Sequence, residues 1–189
     1  MEPKSELGSQ LLTSLLEGRK IMITVLIADD QTMFGSALAS LIDEEEDLEI
    51  VCVCRDGQEA LDSIVTYIPN VALLDIEMPG ATGIEAAAEL ARSGLTSQTG
   101  APVRSLILTT FRRPGYLRRA LEAGASGFVV KDGTASQLAQ AVRRTAAGLR
   151  VVDSVLAEEA KWQGSSPLTG RETEVLRAAE TAGSVKEIA

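Results

Sequence analysis

Acids, hydroxyls and one lysine stand at the ends of short apolar runs in this chain. "ITVLIA" leads into Asp29-Asp30, "VALL" into Asp75, "LIL" into Thr109-Thr110 and "FVV" into Lys131. An ionised carboxylate against hydrophobic neighbours is unfavourable unless a partner offsets its desolvation. Brought to one place, the aspartates would repel one another and form the hard oxygen donor set that suits Mg²⁺. A lysine and a hydroxyl beside them would fit a tetrahedral anion, the lysine as a point charge and the threonine as a hydrogen-bond donor. An aspartate in such a place can also attack phosphorus and become an acyl phosphate. Each residue has a plainer reading as well. Asp30 could cap a following helix, Asp75 could steady the turn at Pro79-Gly80, and Lys131 could be a solvated surface charge.

Their placement depends on the elements that carry them. Short apolar runs alternate with amphipathic stretches along 23–147, and the strand-type runs are continuously apolar rather than alternating. That pattern predicts an α/β, doubly wound parallel sheet of five strands with helices on both faces. Ligands of such sheets sit beyond the carboxyl ends of the strands, where the strand order reverses. Asp29, Asp30, Asp75, Thr109 and Lys131 all fall at that end.

Composition narrows the chemistry. The chain has 189 residues, 45% of them hydrophobic, and a net charge of -9, which disfavours an anionic surface or nucleic acid as a partner of the chain as a whole. It contains no histidine, which removes Ser-His-Asp and Cys-His nucleophile pairs and most zinc sites. Cys52 and Cys54 fall on one face of a strand and read as two reduced thiols, since nothing completes a metal set around them. No run is long enough for a membrane helix, so no membrane partner is expected and a cytoplasmic location follows. Residues 1–21 lack the pattern of a secretory signal and read as an N-terminal extension. The stretch 93–102, "SGLTSQTGAP", reads as an exposed insertion that is merely tolerated.

The domain expected at 22–147 is followed by a linker at 148–166 and a fresh start at 167. There Thr169 and Glu172 form a capping-box pattern ahead of Val175, Leu176 and Ala179. From Pro167 onward, Arg171, Arg177 and Lys186 stand against Glu172, Glu174, Glu180 and Glu187, which is no phosphate-binding patch.

"IADD", "LLDIEMPGATG", "LILTT" and "GFVVKD" together resemble the receiver domain of bacterial two-component response regulators. "LTGRETEVLRAAETAGSVKEIA" is similar to the start of the helix-turn-helix domain of the LuxR/NarL class. Within that class, "TTFRRPGY" and the opening of the receiver look closest to regulators of membrane-lipid desaturase genes. The resemblance implies a flavodoxin-like receiver with strand order 2-1-3-4-5, then a truncated, partial all-α helix-turn-helix unit at 167–189. It implies that Asp75 accepts a phosphoryl group from a sensor histidine kinase. Mg²⁺ would be held by Asp30, Asp75 and the backbone carbonyl of Glu77, with Asp29 assisting through water. Thr109 and Lys131 would contact the phosphoryl oxygens, and Phe128 would be the aromatic switch residue that turns inward as Thr109 moves. Phosphorylation would favour a homodimer, and DNA would be read only where the helix-turn-helix domain is complete. Such a protein is a phosphoacceptor rather than an enzyme with a separate substrate. The alternative is a receiver without output, acting as a phosphate sink or an interaction partner. Haloacid-dehalogenase-like phosphatases also use an aspartate and Mg²⁺, but they require a second aspartate where this chain has Glu77.

Overall fold

Apolar strands that must be covered on both faces dictate a three-layer arrangement, and the computed structural model has one. It describes residues 22–110 and 115–152. The elements are β1 (Ile23–Ala28), α1 (Thr32–Asp43), β2 (Leu48–Cys54), α2 (Gly57–Tyr67), β3 (Val71–Asp75) and α3 (Gly83–Ser93). They continue with β4 (Arg104–Thr109), α4 (Tyr116–Glu122), β5 (Gly127–Val130), α5 (Ala135–Ala146) and β6 (Val151–Val152). The expectations for 1–21, for the linker beyond residue 152 and for 167–189 lie outside the described residues.

All strand pairs are parallel and the order is β2-β1-β3-β4-β5-β6. The expected order of the first five strands holds. The expectation of five strands does not: Val151 and Val152, within the stretch read as linker, pair with Gly127 and Phe128 and add a short sixth strand. Two buried valines after Gly148 were too brief a run to stand out in the sequence.

Successive residues of a strand point to opposite faces, so each strand feeds two cores. Val25, Ile27, Leu73, Leu106 and Leu108 meet Leu38 and Ile42 of α1 and Leu138 and Val142 of α5. Leu26, Leu74 and Ile107 meet Ile64 of α2, Ile84 and Leu90 of α3 and Ala120 of α4. Burial of this kind stabilises by about 25 cal/mol for each Å² of apolar surface removed from water.

Local signals agree with the tertiary ones at the helix starts. Thr82 and Glu85 form a capping box on α3, as do Thr134 and Gln137 on α5, and the Asp56 carboxylate accepts from the Glu59 backbone amide on α2. Among the described residues, no helix is long and apolar enough to cross a membrane.

The stretch 93–102 departs from its expected role. Most of it is exposed, but Ser97 is buried and joins Asn70 at the amino end of β3. The Ser97 amide donates to Ala101 O at 2.8 Å, and Thr96 bridges Pro102 in antiparallel fashion, closing a small loop against the sheet.

Candidate functional site

The strand order reverses between β1 and β3, because β2 lies outside β1 while β4 follows β3. A crevice therefore opens beyond the carboxyl ends of these two neighbours. Asp29 directly follows β1 and Asp75 ends β3. A carboxylate oxygen from each of Asp29, Asp30 and Asp75 lies within 4.8 Å of the others. Asp29 and Asp75 are buried, whereas Asp30 is exposed. The helix-cap reading of Asp30 does not hold. Gln31 occupies the N-cap of α1, and it is Asp29 Oδ1 that accepts from the Gln31 amide at 3.0 Å.

Lys131, just past β5, is not the solvated charge of its plainer reading: its side chain is only 3% exposed. Its Nζ lies 2.6 Å from Asp29 Oδ2 and 3.1 Å from Asp75 Oδ1. Among the described residues, one ammonium thus faces a three-carboxylate cluster, and their charges sum to a negative surplus. The imbalance shows on Asp75, whose carboxyl is held above the usual aspartate range by burial. Lys131 and a hydrogen bond from the Ile76 amide pull it back only in part, and Asp29 adds to the upward push.

Thr109 ends β4 and is buried, and its carbonyl accepts from the Lys131 amide at 2.8 Å. This bond fixes the backbone of the threonine against that of the lysine. Phe128 is also buried, its strand paired to β4 through Ile107. Glu77 is exposed beyond the end of β3, and Tyr116 Oη donates to its Oε1 at 3.3 Å.

Backbone packing shapes the turn after Asp75. Gly80 sits at φ 78°, in the left-handed region that glycine enters without strain. Gly83 is required for a different reason, since a Cβ there would lie 2.0 Å from the Asp75 carbonyl oxygen. The start of α3 thereby presses against the strand end that presents the acid.

Two site neighbours were not foreseen from sequence. Tyr116 is one. Phe34 is the other, with its ring centroid 4.6 Å from Lys131 Nζ. By its spacing with Leu38, Leu41 and Ile42, Phe34 reads from sequence only as part of the apolar face of α1. Its distance of five positions from Asp29 was the available signal, since the first turn of a helix following a strand overhangs that strand's end.

The Response regulator receiver domain model matches residues 25–143. The chain belongs to the response regulator receiver family. The receiver is 42% identical over 168 residues to the transcriptional regulatory protein DesR of Bacillus subtilis, covering 89% of this chain and 80% of DesR. It is 32% identical to the probable transcriptional regulatory protein NarL of Mycobacterium tuberculosis, covering 88% of this chain and 78% of that protein. Among solved structures, the signal receiver domain of the putative response regulator NarL from Mycobacterium tuberculosis matches with a TM-score of 0.63 at 31% identity. That match covers 67% of this chain and 98% of the NarL domain. The response regulator ChrA of a heme-sensing two-component system matches at 0.62 and 32% identity, over 89% of this chain and 80% of ChrA. The receiver is thus of the NarL/LuxR type, a class of two-component transcriptional regulators.

Proposed function

We propose that Asp75 is the phosphoryl acceptor of this response regulator and that the donor is the phosphohistidine of a sensor kinase. The observation that carries this reading is the convergence of Asp29, Asp30 and Asp75 at one crevice, with the buried Lys131 ammonium against Asp29 and Asp75. In the reaction an oxygen of the Asp75 carboxylate attacks phosphorus. An O–P bond forms, the P–N bond to the donor imidazole breaks, and the electron pair leaves with that ring. Lys131, already within reach of Asp75, meets the phosphoryl oxygens, and Thr109 turns its hydroxyl towards them.

The residues suit a hard divalent cation, because every donor within the 4.8 Å cluster is a carboxylate oxygen and the site carries excess negative charge. Asp29, Asp30, Asp75 and the backbone carbonyl of Glu77 would hold Mg²⁺. What the cation would supply there is neutralisation of the charge that develops on the transferring group.

Modification of Asp75 adds charge beside residues that end β4 and β5, and movement of Thr109 passes that change to the α4–β5–α5 surface. Formation of a homodimer and binding of DNA by a complete helix-turn-helix domain follow in this reading, and a cytoplasmic location goes with them. DesR and NarL, as transcriptional regulatory proteins, support it.

The test is incubation with acetyl phosphate and Mg²⁺. Wild type gains one acid-stable, base-labile phosphoryl group, and Asp75→Asn gains none. A phosphoryl group that persists in the variant moves the acceptor elsewhere.

A further inference from the structure

Lys131 is held between two unequal partners. Its shorter contact is to Asp29 at 2.6 Å and its longer one to Asp75 at 3.1 Å. If Asp75 takes the phosphoryl group, the ammonium must remain close to Asp75 rather than collapse fully onto Asp29. A lysine carries a flexible four-carbon stem, so an outside constraint on its head is needed.

The Phe34 ring supplies an apolar wall of the right kind. Its centroid is 4.6 Å from Nζ, inside the roughly 6 Å range in which a cation is drawn to the negative face of an aromatic ring. The attraction is larger where water is excluded, and the Lys131 side chain is only 3% exposed. Phe34 is itself fixed from below, packing against the α1/α5 core. The next residue, Gly35, lies against the strand end, where a Cβ would meet the Asp29 Cβ at an ordinary contact distance of 3.6 Å.

We infer that Phe34 is a positioning residue for Lys131, its ring face holding the ammonium beside Asp75 for phosphoryl transfer. The inference rests on Asp75 being the phosphoryl acceptor. An aliphatic side chain of similar bulk fills the space but has no negative face, so Phe34→Leu separates the ring's electrostatics from its volume. Phe34→Tyr retains the ring, at a position that is itself only half-buried.

Two readouts on the full chain test the idea, with thermal unfolding used to check that each variant is folded. The first is the NMR signal of the Lys131 ε-methylene protons in unmodified protein. It is shifted upfield by the ring current in wild type and in Phe34→Tyr, and the shift is lost in Phe34→Leu. The second is the rate of phosphorylation by acetyl phosphate. That rate falls about three- to tenfold in Phe34→Leu and stays within about twofold in Phe34→Tyr. Equal rates for wild type and a folded Phe34→Leu overturn the inference, and so does a Phe34→Tyr rate as low as that of the leucine variant. A wild type that takes up no phosphoryl group defeats the acceptor reading instead. The ring-current shift then still decides whether Phe34 holds the lysine.

Discussion

At the amino end of β3, Asn70 is buried with every polar atom of its side chain engaged; at the carboxyl end of the same strand, Asp75 is buried at a cost that Lys131 offsets only in part. Asn70 Oδ1 accepts from the Thr24 amide and the Thr24 hydroxyl, both at 2.9 Å. Its Nδ2 donates to Ser97 Oγ at 3.0 Å and Thr99 Oγ1 at 3.1 Å. These groups are neutral and complementary, so the network ties β1, β3 and the 93–102 loop together with nothing left over. The opposite end gathers Asp29, Asp30 and Asp75 around Lys131. One sheet thus buries polar groups twice, once to satisfy them and once to leave a surplus charge. The first arrangement stabilises a structure. The second prepares a site that gains by taking up a cation and a phosphoryl group.

The sharpest way to break this contrast is at Lys131. Lys131→Ala leaves Asp29 and Asp75 facing each other without their shared ammonium, and removing one partner of a buried pair is strongly destabilising. A loss of about 3 kcal/mol is expected in urea unfolding at neutral pH without divalent cations, and Mg²⁺ should recover part of it. Stability indifferent to both changes would mean that the carboxylates are not held by the lysine.

A smaller effect is expected at the other end. Asn70→Ala leaves the Thr24 amide without its acceptor and takes a donor from the Ser97 and Thr99 hydroxyls, which keep only each other and Ala101 O, at a cost of about 2 kcal/mol. The rate of phosphorylation by acetyl phosphate should stay within about twofold of wild type, because ground-state stability far from the reacting atoms does not enter that barrier. A large fall in rate would show that the two ends are coupled and not separate in purpose.

These two ends also differed in how far they could be read from sequence. The carboxyl end was legible because strand ends, acids and a lysine obey a positional rule that needs only the periodicity of the apolar runs. Asp29, Asp75 and Lys131 meet as that rule requires. The amino end was not. Asn70 follows a proline in an unremarkable "IPN", and its partners Thr24, Ser97 and Thr99 are far apart along the chain. Nothing local marks a Ser/Thr/Gly loop as folded back onto the sheet. Phe34 escaped for a related reason, because its spacing fits a core face and only the three-dimensional overhang of α1 puts its ring beside Lys131. Val151 and Val152 escaped because a strand of two residues has no period.

The finest distinction between the two ends lies in their response to pH. Burial raises the Asp75 carboxyl above its ordinary 3.8, so the folded chain keeps this proton to a higher pH than the unfolded chain does. Stability therefore falls as pH rises through that window, and the full penalty is present above the folded value. Asp75→Asn removes the charge while Lys131 retains Asp29 as a partner. The variant should be more stable than wild type at pH 7, by about 2–4 °C in Tm for an effect on the scale of a single surface-to-core charge change. The difference should shrink on acidification and vanish below 3.8, where folded and unfolded wild type alike carry the proton. The Asn70→Ala deficit has no titrating group behind it and should stay constant across the same range. Thermal melts of both variants between pH 3 and 8 distinguish the two ends directly. An Asp75→Asn advantage that grows as pH falls would contradict the picture of an under-compensated carboxylate, because a well-paired aspartate behaves with the opposite sign.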